Sequence, residues 1–298
     1  MNILNKLFLA TTVMSTFFMV SCSDSSEDLT PSEPESNPFQ VDPSRTDEEA
    51  LICRDFYDKT GIYLLFTDTL IHSDGTVEMV DFNWNYSSYS SDDYRFSYIS
   101  DIREKQIAAD VVRRYFIPYI KEGKLKPFSV LALNTAEVYD WNRSEWQYEW
   151  MEHSYISNWR CFAVSAKNWY EMDAEGQKEA GRALLKDFIS SKLTKDSPEM
   201  SEFMSISKEF YYEDLDEDWF EDEDMTVLYS MGFLSYDDFW ESCPDTTTDF
   251  NDFKDLALNY TEDEVNEMYG NYALIMQKYH LFLKAIADMG INLNAEIE

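Results

Sequence analysis

Apolar residues follow two different spacings along the chain, and each spacing predicts a type of element. Ile62–Leu70 is a β-prone apolar run, and Thr76–Trp84 alternates apolar and polar residues after the Ser73–Gly75 turn, which predicts a β-hairpin. Pro127–Leu133 and Arg160–Val164 are short apolar runs of the kind found in buried strands. The first half is therefore expected to contain a mixed sheet with a hairpin.

Helical spacing of apolar residues dominates the second half. The first half contains a helix as well, which is predicted to begin after Thr46 and Asp47, to run to Lys59 and to stop at Gly61. Further helices are predicted at Asp101–Gly123, Glu175–Leu193, Pro198–Tyr211, Asp252–Leu258 and Glu262–Met289. The fold class is therefore α+β, with a mainly helical C-terminal part and a folded domain over residues 45–298.

An aromatic segment between residues 139 and 159 is assigned to no element. It contains Tyr139, Trp141, Trp146, Tyr148, Trp150, Tyr155 and Trp159. Inside a core such rings are packing, which is the interpretation we expect. If they were exposed, Trp141, Trp146 and Trp150 would be candidates for stacking against a sugar or a peptide.

The N-terminus resembles a bacterial lipoprotein signal. Residues 1–21 contain one basic residue, Lys6, and an apolar run from Leu7 to Val20, which is too short to span a bilayer. Met19-Val20-Ser21-Cys22 resembles a lipobox, which implies acylation of Cys22 and anchoring in membrane lipid. The Ser-, Pro- and acid-rich residues 22–44 read as a disordered tether. Their acidic tract resembles the surface-export signal of Bacteroidota lipoproteins, which implies a cell-surface location on the outer membrane.

Charge and cysteine content narrow the function classes. The 298 residues include 58 acidic and 24 basic side chains, for a net charge of -34, which excludes a nucleic-acid binder because phosphate would be repelled. The cysteines besides Cys22 are Cys53, Cys161 and Cys243, so at most one disulfide could form among them. Cys53 and Cys161 lie in apolar patterns and are expected to be buried thiols.

Motifs for known chemistry are scarce. The three histidines, His72, His153 and His280, are not spaced as metal ligands, and the H-E-x-x-H zinc motif is absent. The sequence also lacks a Gly-x-Ser-x-Gly nucleophile motif and a glycine-rich phosphate loop.

One acidic run has partial calcium-loop spacing. Asp214, Asp216 and Asp218 match D-x-D-x-D, but Trp219 occupies the position where a glycine would follow. We expect a solvated acidic loop, with weak calcium binding as the alternative.

Several short sequence segments in the second half resemble those of a family of Bacteroidota lipoproteins, the substrate-import-associated zinc metallohydrolases, which are zinc-binding metallopeptidases. These segments are Cys161–Val164, Phe203–Ser207, Gly232–Ser235, Asn251–Leu256 and the closing segment Tyr279–Asn294. The resemblance implies a zincin-like fold with a motif helix of the His-Glu-Phe-Ala-His type and a distal glutamate as the third zinc ligand.

The chain departs from that family at the residues that carry its chemistry. Lys186 and Ser190 stand where the resemblance places the two histidines, Asp187 replaces the general base, and Asp255 replaces the distal glutamate. The zinc ligands are therefore absent. We hypothesise that Lys186 forms a buried ion pair with Asp255 or Asp187 in place of the metal, because a buried lysine needs a carboxylate partner. The alternative is that this helix face is exposed.

These residues predict a non-catalytic surface lipoprotein that holds a peptide or glycan. By resemblance it would act in nutrient capture beside a TonB-dependent transporter and its substrate-binding lipoprotein. The alternatives are an active hydrolase with a non-standard site, using carboxylates and His153, and a purely structural surface protein.

Overall fold

The computed structural model describes residues 37–82, 94–120, 125–158, 160–215 and 225–293. The strands are β1 Tyr63–Leu65, β2 Thr69–Ile71, β3 Val77–Met79, β4 Tyr94–Ser97, β5 Ser129–Leu133, β6 Thr135–Asn142, β7 Gln147–His153, β8 Tyr155–Ser157 and β9 Cys161–Ser165. The helices are α1 Glu48–Thr60, α2 Ile102–Tyr115, α3 Ile117–Ile120, α4 Ala174–Lys192, α5 Ser201–Ile206, α6 Met225–Met231, α7 Thr246–Asn259, α8 Glu262–Tyr269 and α9 Ala273–Asp288. The α+β class, the mixed sheet and the mainly helical C-terminal part are confirmed.

A mixed sheet with the order β1-β5-β9-β8 lies at the centre. Strands β1, β5 and β9 are parallel, and β8 is antiparallel to β9. Every residue of β5 and β9 is buried, as their apolar sequences predict. Because alternate side chains point to opposite faces, Val130 and Phe162 join the helical core while Leu131 and Ala163 join a second core on the other face.

The predicted hairpin is present in a shorter form. Ile71 pairs with Val77 in the antiparallel β2–β3 ladder, but the first half of the predicted Ile62–Leu70 strand forms β1 of the central sheet instead. The end of the second predicted strand, Trp84, lies outside the described residues. A third sheet, β4-β6-β7, is fully antiparallel and contains the aromatic segment.

Helix α1 has the ends that the sequence predicts. The Asp47 side chain accepts a hydrogen bond from the Ala50 amide at the N-terminus, and Gly61 ends the helix with φ +65°. A positive φ suits glycine, which has no Cβ to clash, and the Gly61 amide then donates to the Tyr57 carbonyl.

Four predicted helices differ in extent, and one of them, Asp252–Leu258, is longer than predicted because α7 already begins at Thr246. The predicted helix Asp101–Gly123 breaks at Phe116, because Pro118 cannot donate a backbone hydrogen bond and crowds the preceding turn. Pro198–Tyr211 forms only a 3₁₀ turn followed by the short α5. Glu262–Met289 divides into α8 and α9 around Gly270, and α6 is an additional helix that the sequence reading did not assign.

The compact unit of the described chain begins at Pro38, ahead of residue 45. Phe39 is buried and packs edge-on against Phe128, so this residue belongs to the second core. Cys53, Cys161 and Cys243 are buried free thiols, and burial raises the pKa of Cys161 to about 12. Among the described helices, none has the length and the hydropathy that a bilayer crossing needs.

We expect the substitution Asp47→Asn to destabilise the fold at neutral pH and to matter less in acid. The hydrogen bond from Arg45, and then the Ala50 amide, lower the pKa of Asp47 to about 2. A carboxyl group with a depressed pKa adds stability above its unfolded pKa of about 4, and this contribution is lost as the pH falls through about 2. Asparagine keeps the capping oxygen but removes the charge.

Urea unfolding of the wild type and Asp47→Asn between pH ~7 and ~2 measures this difference. The exposed Asp238, changed to Asn, is the matched control and should show no such convergence. A destabilisation by Asp47→Asn that stays constant over the whole pH range would contradict the prediction.

Candidate functional site

Five aromatic rings share one face of the β6–β7 hairpin, and we call them the aromatic platform. In the ladder Tyr139 lies opposite Trp150, and Trp141 lies opposite Tyr148. Since positions two apart on a strand point to the same face, these two cross-strand pairs lie side by side. Trp146 completes the set at the hairpin turn.

The rings of the platform contact one another but are not covered by the rest of the protein. The centroids of Tyr139 and Trp150 are 5.4 Å apart, and those of Trp141 and Tyr148 are 5.3 Å apart. Exposed fractions run from 37% at Trp150 to 79% at Trp146. The expectation that these rings pack in a core is therefore wrong for the platform, because the strand turns this face toward solvent while Ala136 on the opposite face is buried.

The hairpin turn fixes the position of Trp146. The Asn142 side-chain oxygen accepts hydrogen bonds from the amides of Ser144 and Glu145, which closes the turn. Trp146 itself has φ +53°, an unusual conformation for a bulky residue, and its ring meets Trp141 edge-on at 6.5 Å. The backbone thus holds the most exposed ring of the platform beside its neighbours.

A cation and a carboxylate border the platform on the side of β4. The Arg95 guanidinium lies 4.5 Å from the ring centre of Trp150 and donates two hydrogen bonds of 2.8 Å to Glu137. These bonds hold the pKa of Glu137 below its usual range. The border therefore offers fixed polar groups next to the apolar ring faces.

The motif helix α4 does not contain the ion pair that we hypothesised. The Lys186 Nζ donates to the Asn259 side-chain oxygen at 2.6 Å, whereas Asp187 accepts a 2.6 Å hydrogen bond from the Ser154 hydroxyl. Asp255 is exposed, one turn before Asn259 on α7. Lys186 is only half-buried, so it can meet an amide partner without the energetic need for a carboxylate.

The residues at the resembling positions do not fit a zinc ion. A lysine ammonium has no lone pair to donate, and Ser190 offers only a neutral hydroxyl in place of imidazole. Asp187 accepts a hydrogen bond from Ser154, and Asp255 is exposed on α7. In the described part of the chain, no group of three or more His, Cys, Asp or Glu side chains could hold a metal ion.

Other predicted site residues are only partly described. Asp214 is exposed and forms an isolated bridge with Ser242, whereas Asp216 and Asp218 lie outside the described residues, as does Cys22. His153 lies on the face of β7 opposite the platform, and its Nε2 is buried without a hydrogen-bond partner in the described structure.

A buried ion pair does exist, but at Lys278 and Asp249. Both side chains have 0% exposure, and the Lys278 Nζ lies 2.6 and 2.7 Å from the two carboxylate oxygens of Asp249. The ammonium also donates to the Ser207 hydroxyl at 3.1 Å and to the Gly232 carbonyl at 2.8 Å. The Tyr211 hydroxyl donates to Asp249 at 2.6 Å, so the polar groups of this pair are well satisfied.

Aromatic rings enclose this pair. Lys278 Nζ lies 4.8–4.9 Å from the ring centres of Phe203, Phe233 and Phe253. Gly232 has φ +87°, and a Cβ there would lie 2.9 Å from the Ser207 hydroxyl oxygen. Three of the segments that resemble the metallopeptidase family therefore contribute to this enclosure. They are Phe203–Ser207, Gly232–Ser235 and Asn251–Leu256.

Burial lowers the pKa of Lys278 and raises that of Asp249, while the contact between them opposes both shifts. The sequence reading missed this pair, although a signal was present. Lys278 occupies the buried stripe of α9 together with Ile275 and Phe282, and Asp249 occupies the equivalent stripe of α7. A charge on an apolar stripe predicts a buried, paired group.

The described structure thus contains two distinct features, an exposed aromatic face and an enclosed ion pair. No protein-family model, curated protein or solved structure matches the chain.

We expect Lys278→Met to cost about 3–5 kcal/mol of unfolding free energy, because it leaves the Asp249 carboxylate buried without its partner. The double variant Lys278→Met with Asp249→Leu should recover most of that loss, since no charge then remains buried. Urea unfolding measures both.

Lys284→Met is the matched control, because Lys284 lies on the same helix with an exposed side chain and should change stability by less than about 0.5 kcal/mol. A cost for Lys278→Met no larger than that of the control would show that the pair is dispensable.

Proposed function

We propose that the protein is a non-catalytic, surface-anchored capture protein that binds neutral glycans on the aromatic platform. The observation that carries the proposal is the exposure of five adjacent rings on one face of the β6–β7 hairpin. A monomeric soluble protein rarely leaves such a continuous apolar patch uncovered unless something binds there.

The chemistry of the platform favours sugars. Pyranose rings have flat C–H faces that stack on aromatic rings, and their hydroxyl groups hydrogen-bond to polar groups at the border. Arg95 and Glu137 supply such a donor and acceptor beside Trp150. The Asp140–Glu149 pair lies on the opposite face of the hairpin, and on the platform face the charges of Arg95 and Glu137 offset each other. This local charge balance favours a neutral glycan over an anionic one.

Two properties of the motif helix support the non-catalytic part of the proposal. Lys186 and Ser190 provide no imidazole at the two histidine positions, and Lys186 and Asp187 are engaged with different partners. The alternative hydrolase gains no support from His153, whose buried Nε2 meets no carboxylate in the described structure. The proposal of a zincin-like fold rests only on the order of the short sequence segments that resemble the family.

Anchoring and partners complete the proposal. The lipobox-like residues before Cys22 and the acidic tether support acylation and a place on the outer surface of the outer membrane. The family resemblance supports a role beside a TonB-dependent transporter and its substrate-binding lipoprotein. Capture of glycans by the platform would then raise their local concentration near the transporter.

We expect Trp141→Ala to weaken glycan binding at least about tenfold, or ~1.4 kcal/mol, since a central aromatic ring is a typical binding hot spot. The probes are immobilised neutral hexasaccharides of β-glucan, xylan, mannan and α-glucan, followed by calorimetric titration of those that bind.

Trp240→Ala is the matched control for this experiment, because Trp240 is an exposed ring of the same kind in a loop outside the platform, at 71% exposure against 40% for Trp141. It should leave the affinity unchanged. Equal losses from Trp141→Ala and Trp240→Ala, or no binding to any of the four glycans, would refute the proposed function.

We expect Cys22→Ala to abolish incorporation of an alkyne-tagged fatty acid when the full-length chain is expressed in a Bacteroidota host. Cys53→Ala is the matched control and should remain labelled, because the Cys53 thiol is buried in α1. Gel fluorescence after click labelling measures the result, and labelled Cys22→Ala protein would contradict lipid anchoring at this residue.

A further inference from the structure

A cleft of about 620 Å³ separates α4 from the C-terminal helices α7, α8 and α9. Its volume lies within the roughly 300–1,000 Å³ of ordinary small-molecule sites. The floor is apolar and includes Leu185, Leu258, Leu283, Ile286 and Ile291. A ligand with an apolar body would bury that body here.

The charge of the cleft is opposite to that of the chain. Among the described residues, the charged groups that line it are Arg182, Lys186 and Lys284, with one carboxylate, Glu262. Lys284 is also paired with Asp288 at 2.8 Å, so Arg182 and Lys186 carry the positive charge that is free to meet a ligand. The whole sequence has 58 acidic and 24 basic residues, so three cations around one cleft reverse the prevailing sign. Such a local excess of positive charge attracts an anion even when the surrounding protein repels it.

Two of these residues are arranged to donate hydrogen bonds. Lys186 is held over the cleft by the oxygen of Asn259, which leaves the amide N–H groups of Asn259 for another acceptor. Arg182 lies one turn before Lys186 on α4 and forms no hydrogen bond or ion pair within the described structure. A guanidinium and an ammonium one turn apart match the two oxygens of a carboxylate.

We infer that this cleft binds a carboxylate attached to an apolar body, such as a medium-chain fatty acid or the C-terminus of an apolar peptide. Arg182 and Lys186 bind the carboxylate, and the leucine and isoleucine side chains of the floor cover the apolar part. This site is separate from the aromatic platform and does not depend on the proposed glycan capture.

Calorimetric titration with two matched pairs of probes tests the inference. One pair is octanoate and octanamide, and the other is N-acetyl-Leu-Leu and its C-terminal amide. We expect at least one acid to bind about tenfold more tightly than its uncharged amide, because charge-assisted hydrogen bonds form only with the carboxylate. Whichever acid binds distinguishes a lipid source from a peptide source.

Variants assign the binding to these residues. Arg182→Gln and Lys186→Gln should each weaken binding of the acid about tenfold and leave the thermal midpoint close to that of the wild type. Lys178→Gln is the matched control, because it removes one charge from the same helix outside the cleft and should have little effect. Glycan binding should be unchanged in all three variants.

Three results would overturn the inference. The first is equal affinity of an acid and its amide, which would indicate apolar contact alone. The second is the same loss of affinity from Lys178→Gln as from Arg182→Gln, and the third is no binding of either acid at millimolar concentration.

Discussion

The helical half of the protein depends on one buried ion pair, Lys278–Asp249. It joins α9 to α7, and through Ser207 and Gly232 it also joins the turns that follow α5 and α6. Two charges without solvent exposure are stable only if each has several partners, and here a carbonyl, two hydroxyls and three aromatic rings supply them. The pair thereby restricts how these four segments can pack.

This restriction changes the meaning of the sequence resemblance. Three of the resembling segments surround Lys278, so their residues have a structural role that involves no metal. The Phe203 ring lies beside the ammonium, and the Ser207 hydroxyl accepts a hydrogen bond from it. Gly232 has no Cβ that would clash with the Ser207 side chain. The positions at which the resemblance implied catalysis lie elsewhere: Lys186, Asp187 and Ser190 on α4, and the exposed Asp255 on α7.

The two candidate binding surfaces differ in the chemistry that they present to a ligand. The platform presents apolar rings beside the Arg95–Glu137 pair, on an antiparallel hairpin whose opposite face is buried at Ala136. The cleft presents cations above an apolar floor, on helices that the buried ion pair and the core hold in place. In both, regular elements rather than long loops position the side chains, which favours binding without a large conformational change.

Local sequence determined the elements whose signals are local. The cap at Asp47, the stop at Gly61 and the buried strands β5 and β9 follow from nearby residues, as do the α+β class and the free thiols. Strands β6 and β7 could also have been found, because rings alternate with polar residues in Tyr139–Trp141 and Trp146–Trp150. Tertiary structure alone decided which face of that hairpin meets solvent, that Lys186 bonds to Asn259, and that Lys278 meets Asp249. Each of these depends on contacts between segments far apart in the chain, and no local spacing encodes such contacts.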